Sequence, residues 1–273
     1  MGDCTVCGRP AGFLKSSHPE CAQFVKQLET PLLTAACSGR EEHRATAEAA
    51  INEAKNSGRL TPARATTLAL SSWCDAANLA LEDGLLSADE ETALMDFARM
   101  FGVPHVETPE HAKLLRAAVL RDVREGIVKT RLRIEGNLPF NLLKSEQLVW
   151  AFQRVEGFTT RTTRGHQGGS HGFSLRIAKG VYYRPSAFKA ASTSVDSQVS
   201  LGVGLLGLTN KHLYFAAPGK ALRVKWGDVV AFENFSDGVG VNRAKATDRP
   251  LLFRTGEGWF TCNLVAALAA QAE

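Results

Sequence analysis

Nowhere in the 273 residues does an apolar run approach the roughly 20 needed to cross a bilayer as a helix, so a helical membrane protein is excluded. The opening MGDCTVCGRP carries no apolar signal core, which makes the cytoplasm the expected compartment. The six cysteines are not spread as a disulfide framework would spread them. Three (Cys4, Cys7, Cys21) crowd the first 21 residues, and Cys37, Cys74 and Cys262 are scattered, a pattern that suits one metal site plus ordinary thiols. Each half is also short of one charge sign. Residues 1–126 hold 13 Lys and Arg against 18 Asp and Glu, net −5, whereas residues 127–273 hold 19 against 10, net +9. The excess makes the C-terminal half the expected meeting place for an anionic partner such as a phosphate head group, an acidic protein face or nucleic acid, or else simply a solvated surface of mixed charge.

Several motifs are present by letter and missing in substance. GVGLLG at 202–207 matches G-x-G-x-x-G, but a dinucleotide fingerprint must open a helix, and the LTNKHLYF that follows reads as a strand. The loop of Arg164, His166, Ser170 and His171 offers a nucleophile and two bases, yet no G-x-S-x-G surrounds Ser170 and paired glycines oppose preorganisation. Around Asp83 and Gly84, Leu85 and Leu86 stand where a calcium loop needs oxygens. The basic strands of the C-terminal half lack the interleaved aromatics that stack bases, and Arg9 and Lys15 are sparse cover for a nucleic-acid-binding metal module.

What is present begins at Cys4. The first 21 residues read C-x2-C-x10-H-x2-C through Cys4, Cys7, His18 and Cys21. A C-x2-C turn delivers two thiolates from one knuckle, Gly8 suits its backbone, and His18 and Cys21 stand one turn apart where a helix starts. A four-ligand N/S set is closed, so the spacing predicts a structural zinc. The stretch resembles the treble-clef and zinc-ribbon modules of bacterial proteins.

Helical signals fill residues 20–126. A helix is expected over 20–33 and another over 41–55. Thr61 and Pro62 cap and open a third that runs to 81, Ser87 with Glu90 makes a capping box for 88–101, and Thr108 with Pro109 opens a last one to 125. The Asp83–Gly84 turn with Ser87 and Glu90 is similar to the helix-turn of the tellurite-resistance helical family. Residues 127–273 read as short strands at 128–134, 173–177, 180–184, several within 205–235, 238–243, 251–253 and 259–262, with a turn of helix and then a strand through Leu148, Trp150 and Phe152 within 142–155, and a helix over 263–270.

The segment GLTNKHLYF at 207–215, followed by RVKWGDVV at 223–230, resembles the bacterial GRAM and pleckstrin-homology-like families, with His212 where those carry Arg. The resemblance implies a β-barrel closed by a C-terminal helix over roughly 145–270, serving as a lipid, peptide or protein binder. The expected fold is thus α+β: a zinc module (1–35), an α-helical bundle (40–126) and a pleckstrin-homology-like barrel (127–273). The expected function is a non-enzymatic adaptor that binds an anionic lipid head group or a protein partner. Lys211, Lys220, Arg223 and Lys225 are the candidate anion-binding residues, since basic groups on neighbouring strands can converge on a phosphate. The lipid version implies peripheral membrane attachment. Nucleic-acid binding through zinc module and basic barrel is the alternative, and a hydrolase on the His166 loop a third.

Overall fold

Helix punctuation fixes the first half of the chain. In the computed structural model, which describes residues 2–13, 15–104, 108–132, 136–162, 175–178, 181–185, 196–245 and 249–271, α1 spans Pro19–Ser38, α2 Glu41–Asn56, α3 Pro62–Ala80, α4 Ala88–Phe101 and α5 Pro109–Arg124. Thr61 caps α3 by accepting from the Arg64 N–H at 3.3 Å. Ser87 and Glu90 exchange both bonds of the capping box at the head of α4. Gly102, at φ 59°, ends α4 in the left-handed conformation that glycine adopts without penalty. One helix outruns its signal: α1 continues through Pro31 to Ser38, because Leu32, Ala35 and Ala36 are fully buried and their packing outweighs one lost backbone bond.

The chain divides into two units, residues 1–121 and 122–273, with the boundary inside α5. In the first, α1 packs against α2, α3 and α4. A single core runs from Cys4, Val6, Ala11 and Cys21 through Leu28, Leu32, Ile51 and Leu68 to Phe97. Trp73 lies within it, its indole N–H donating to the Leu94 carbonyl at 3.0 Å and its ring stacked 3.9 Å from His111. Burying each of these large side chains contributes about 1.5–3 kcal/mol. Among the described residues, no helix is long and apolar enough to cross a membrane.

The second unit is a sheet with one helix against it. Its strands are β1 Leu148–Thr162, β2 Leu175–Ala178, β3 Val181–Pro185, β4 Asp196–Thr209, β5 His212–Ala217, β6 Lys220–Lys225, β7 Val229–Phe235, β8 Gly238–Arg243 and β9 Leu251–Arg254. Their order is β2-β3-β7-β8-β9-β1-β4-β5-β6. The seven from β7 to β6 are antiparallel throughout, and β3 joins β7 in parallel. Among the described residues this sheet has two ends and is open, where the sequence predicts a closed barrel. Leu206, Leu208, Leu213, Phe215 and Val224 share one face and are buried. Phe215 meets Phe253 at 5.4 Å, and α6 (Gly258–Ala270) lies against β7 and β8.

Two expectations fail here. Residues 259–262 form the first turns of α6, with the Thr261 N–H bonded to the Glu257 carbonyl at 2.9 Å, instead of a strand. A short run such as WFTC is ambiguous by period, and the alanine-rich residues after it extend a helix buried on most sides. The alternating segment at 128–134 is irregular over its described part, 128–132. Its basic side chains turn to one buried carboxylate: Lys129 Nζ and Arg131 Nε lie 3.0 and 2.7 Å from Asp122 Oδ2. The loop of Arg164, His166, Ser170 and His171 lies outside the described residues.

Candidate functional site

The Cys4–Cys7 knuckle is built by its backbone. The Gly8 N–H returns to the Cys4 carbonyl at 2.8 Å, the Cys4 N–H donates to the Arg9 carbonyl at 2.7 Å, and Asp3 pairs with Pro10. Gly8 takes φ +73°, the left-handed value the turn requires. His18 is the N-cap of α1, Pro19 opens the helix, and Cys21 sits buried in its first turn. The four ligand atoms all lie within 4.8 Å of one another, so these residues are close enough to hold a metal ion. Within the set, His18 Nδ1 is 3.6 Å from both the Cys7 and the Cys21 sulfurs. Its Nε2–H donates to the Pro10 carbonyl at 3.0 Å, which assigns the tautomer and aims the Nδ1 lone pair at the sulfurs.

The electrostatics around the cluster favour thiolates unevenly. Burial raises the Cys4 thiol, but N–H donors of Cys7, His18 and Val6 outweigh it and bring its pKa to about 6. The Arg9 backbone N–H, aided by its guanidinium, lowers Cys7 against the opposing effect of burial. Cys21 goes the other way, pushed up to about 12 by burial and by the neighbouring Cys7 and Cys4 sulfurs. A metal entering this set would therefore displace a proton from Cys21, since only the thiolate ligates.

The four candidate cations of the C-terminal unit separate into different places. Arg223 and Lys225 stand on one face of β6, exposed and two residues apart, opposite Tyr214 and His212 of β5. Lys220 stands on the opposite face by the period of two, and lies roughly 17 Å from Lys225 along the strand at about 3.4 Å per residue. Its amine donates to the Ser200 carbonyl at 2.7 Å. Lys211 lies in the turn before β5 and donates to Ser145 Oγ at 2.8 Å. The hairpin brings together two of the four; one phosphate-sized site holding all of them is not formed.

A polar cluster that the sequence reading missed lies beside them. The Glu146 side chain is fully buried and accepts four hydrogen bonds: Thr209 Oγ1 at 2.5 Å, Tyr214 Oη at 2.7 Å, the Leu143 N–H at 2.8 Å and His212 Nδ1 at 2.9 Å. Burial raises its pKa, but the Thr209, Leu143, Tyr214 and His212 donors together hold the carboxyl below its ordinary value. Burial, with the Glu146 carboxylate next, raises the Tyr214 phenol. Ser145, just before the carboxylate, has φ 121°, a strained value for a non-glycine residue that costs about 1–3 kcal/mol.

Phe140 folds over this cluster and stacks on Tyr214 at 4.9 Å. The ring fits because residue 207 beneath it is glycine; a Cβ there would stand 2.3 Å from Phe140 Cζ. Gly207→Ala should lift the ring from Tyr214 and lower stability by about 1–3 kcal/mol in urea unfolding, the range for overpacking a filled site. An unchanged midpoint would show that Phe140 contributes no packing.

No protein-family model, no curated protein and no solved structure matches the chain.

Proposed function

We propose that this chain is a non-enzymatic binding protein in which a structural zinc braces the N-terminal unit and a pleckstrin-homology-like or GRAM-like sheet unit recognises an anionic partner. Cys4, Cys7, His18 and Cys21 would hold the zinc as a closed Cys3His set, which supplies folding energy and leaves no open position for a substrate. The four atoms within 4.8 Å support that part. The observation that carries the binding part is the pair Arg223 and Lys225, side by side and exposed on one face of β6. The excess of positive charge over residues 127–273 gives the pair a favourable surrounding field.

The test separates a site from a general charge effect. Retention on a polyglutamate resin at low salt should fall roughly tenfold or more in Arg223→Glu/Lys225→Glu, as for removal of paired contacts. A control with the same change of charge, Lys245→Glu/Arg249→Glu, should lose far less. Equal losses in the two variants would mean that only net charge is being read, and the proposed site would fall.

A further inference from the structure

Strand β6 ends the sheet among the described residues, and which of its backbone groups are unused can be worked out from the turn. Pro218 and Gly219 form a two-residue loop between Ala217 and Lys220. The pair flanking such a loop is hydrogen-bonded, and bonded pairs alternate along an antiparallel ladder. Phe215–Leu222 and Leu213–Val224 are therefore the next bonded pairs. The 3.2 Å bond from the Trp226 N–H to the Lys211 carbonyl falls in the same phase and fixes it independently. The N–H and C=O groups of Ala221 and Arg223 and the N–H of Lys225 consequently point away from β5, and among the described residues no strand pairs with them, whereas the Lys225 carbonyl is taken by the short 3-10 turn Trp226–Asp228 that it caps.

We infer that this edge accepts an extended acidic peptide segment as a further strand, an inference that rests on the anionic-partner reading above. Three donors and two acceptors along the edge supply the main-chain register, as in recognition by strand addition. The side chains supply the sign. Arg223 and Lys225 share one face, so carboxylates at alternate positions of an added strand fall beside them at cross-strand distance. The same charges reject a second copy of this chain, because β6 laid against β6 sets cation against cation, a known protection of exposed edges.

A fluorescein-labelled peptide with glutamate at every second position, long enough to span the six residues of β6, is the probe. Fluorescence anisotropy with the full chain should show saturable binding that weakens roughly tenfold or more in Arg223→Glu/Lys225→Glu. The same peptide N-methylated at alternate residues keeps its charge but loses the donors that would face β6, and it should also bind roughly tenfold or more weakly. Ala221→Pro removes one outward donor from the protein without touching the ladder to β5, and should reduce binding in the same direction. If N-methylation changes nothing, strand addition is overturned while the anionic-partner reading stands. Salt-sensitive flotation on anionic vesicles that the peptide does not compete with would also overturn it, in favour of a lipid head group. A β6-mediated dimer in sedimentation would overturn it in favour of a second copy. Binding to neither peptide nor vesicles would remove both readings together.

Discussion

Chelating the proposed zinc should destabilise the N-terminal unit by about 4 kcal/mol, the stabilisation a ligand supplies at a thousandfold excess over its Kd. The reason is local. The residues around Cys4, Cys7, His18 and Cys21 have no core of their own, and Cys4 and Cys21 are themselves part of the core shared with α1 to α4. Cys21→Ser should reproduce the effect, because Cys21 stands in the first turn of α1, one turn before the buried Val25 and two before Leu28. For a unit of this size the loss corresponds to a melting temperature lower by roughly 15 °C. Circular dichroism with and without chelator reads it, and native mass spectrometry should count one zinc per chain. Trp73 is the only tryptophan of the first unit, so its emission reports on that unit through selective quenching or a spectral shift. A chain that carries no zinc after refolding in its presence would rule the structural zinc out.

The second large effect is expected at Glu146. Glu146→Leu leaves the Leu143 N–H, two hydroxyls and the His212 ring facing a hydrocarbon, and should cost about 3–5 kcal/mol in urea unfolding, as for breaking a buried charged network. Glu146→Gln keeps the shape and one acceptor, so it should cost less. The acid limb of the stability curve distinguishes charge from packing. The donors hold the folded pKa below the ordinary 4.5, so the stabilisation is fully present above the unfolded pKa and is lost as pH falls through the folded one. In Glu146→Gln that dependence should vanish below pH 4.5 while the rest of the curve keeps its shape. A Gln variant with the wild-type acid limb would show that Glu146 is not the group being titrated.

Much of this was legible in the chain and some was not, for reasons that sort by sequence distance. The helix starts at Thr61 and Ser87 and the ligand set from Cys4 to Cys21 are short-range features, set by residues that stand within a turn or a hairpin of one another. The strands β8 and β9 were visible as apolar runs between turn residues. Residues 259–262 misled because four apolar or β-prone residues satisfy strand and helix alike until tertiary packing decides. Residues 128–134 misled because alternation records only which side chains are basic, and Asp122, the carboxylate they seek, lies in the preceding helix. The Glu146 cluster left no trace, since its partners Thr209, His212 and Tyr214 are 63 to 68 residues away. His212 shows the limit well. Its departure from the GRAM-like pattern was visible; the acceptor that gives the imidazole a role was not. The period of two places Arg223 and Lys225 together and puts Lys220 on the opposite face, whereas the place of Lys211 depends on where β5 begins, a boundary that sequence sets only to within a residue or two.

Thr61 does two jobs at once. Its side chain caps α3, and its N–H holds the Val6 carbonyl of the knuckle at 2.8 Å, while its methyl lies 3.3 Å from where a Cβ on Gly8 would stand. The Cys4–Cys21 segment is therefore tied into the helical unit and is not a self-contained cassette. Moving residues 1–22 to another chain would leave Val6 without its donor, and replacing them here would strip α3 of a neighbour at its first turn. The knuckle and the start of α3 thus form one cooperative patch, and loosening either exposes the other.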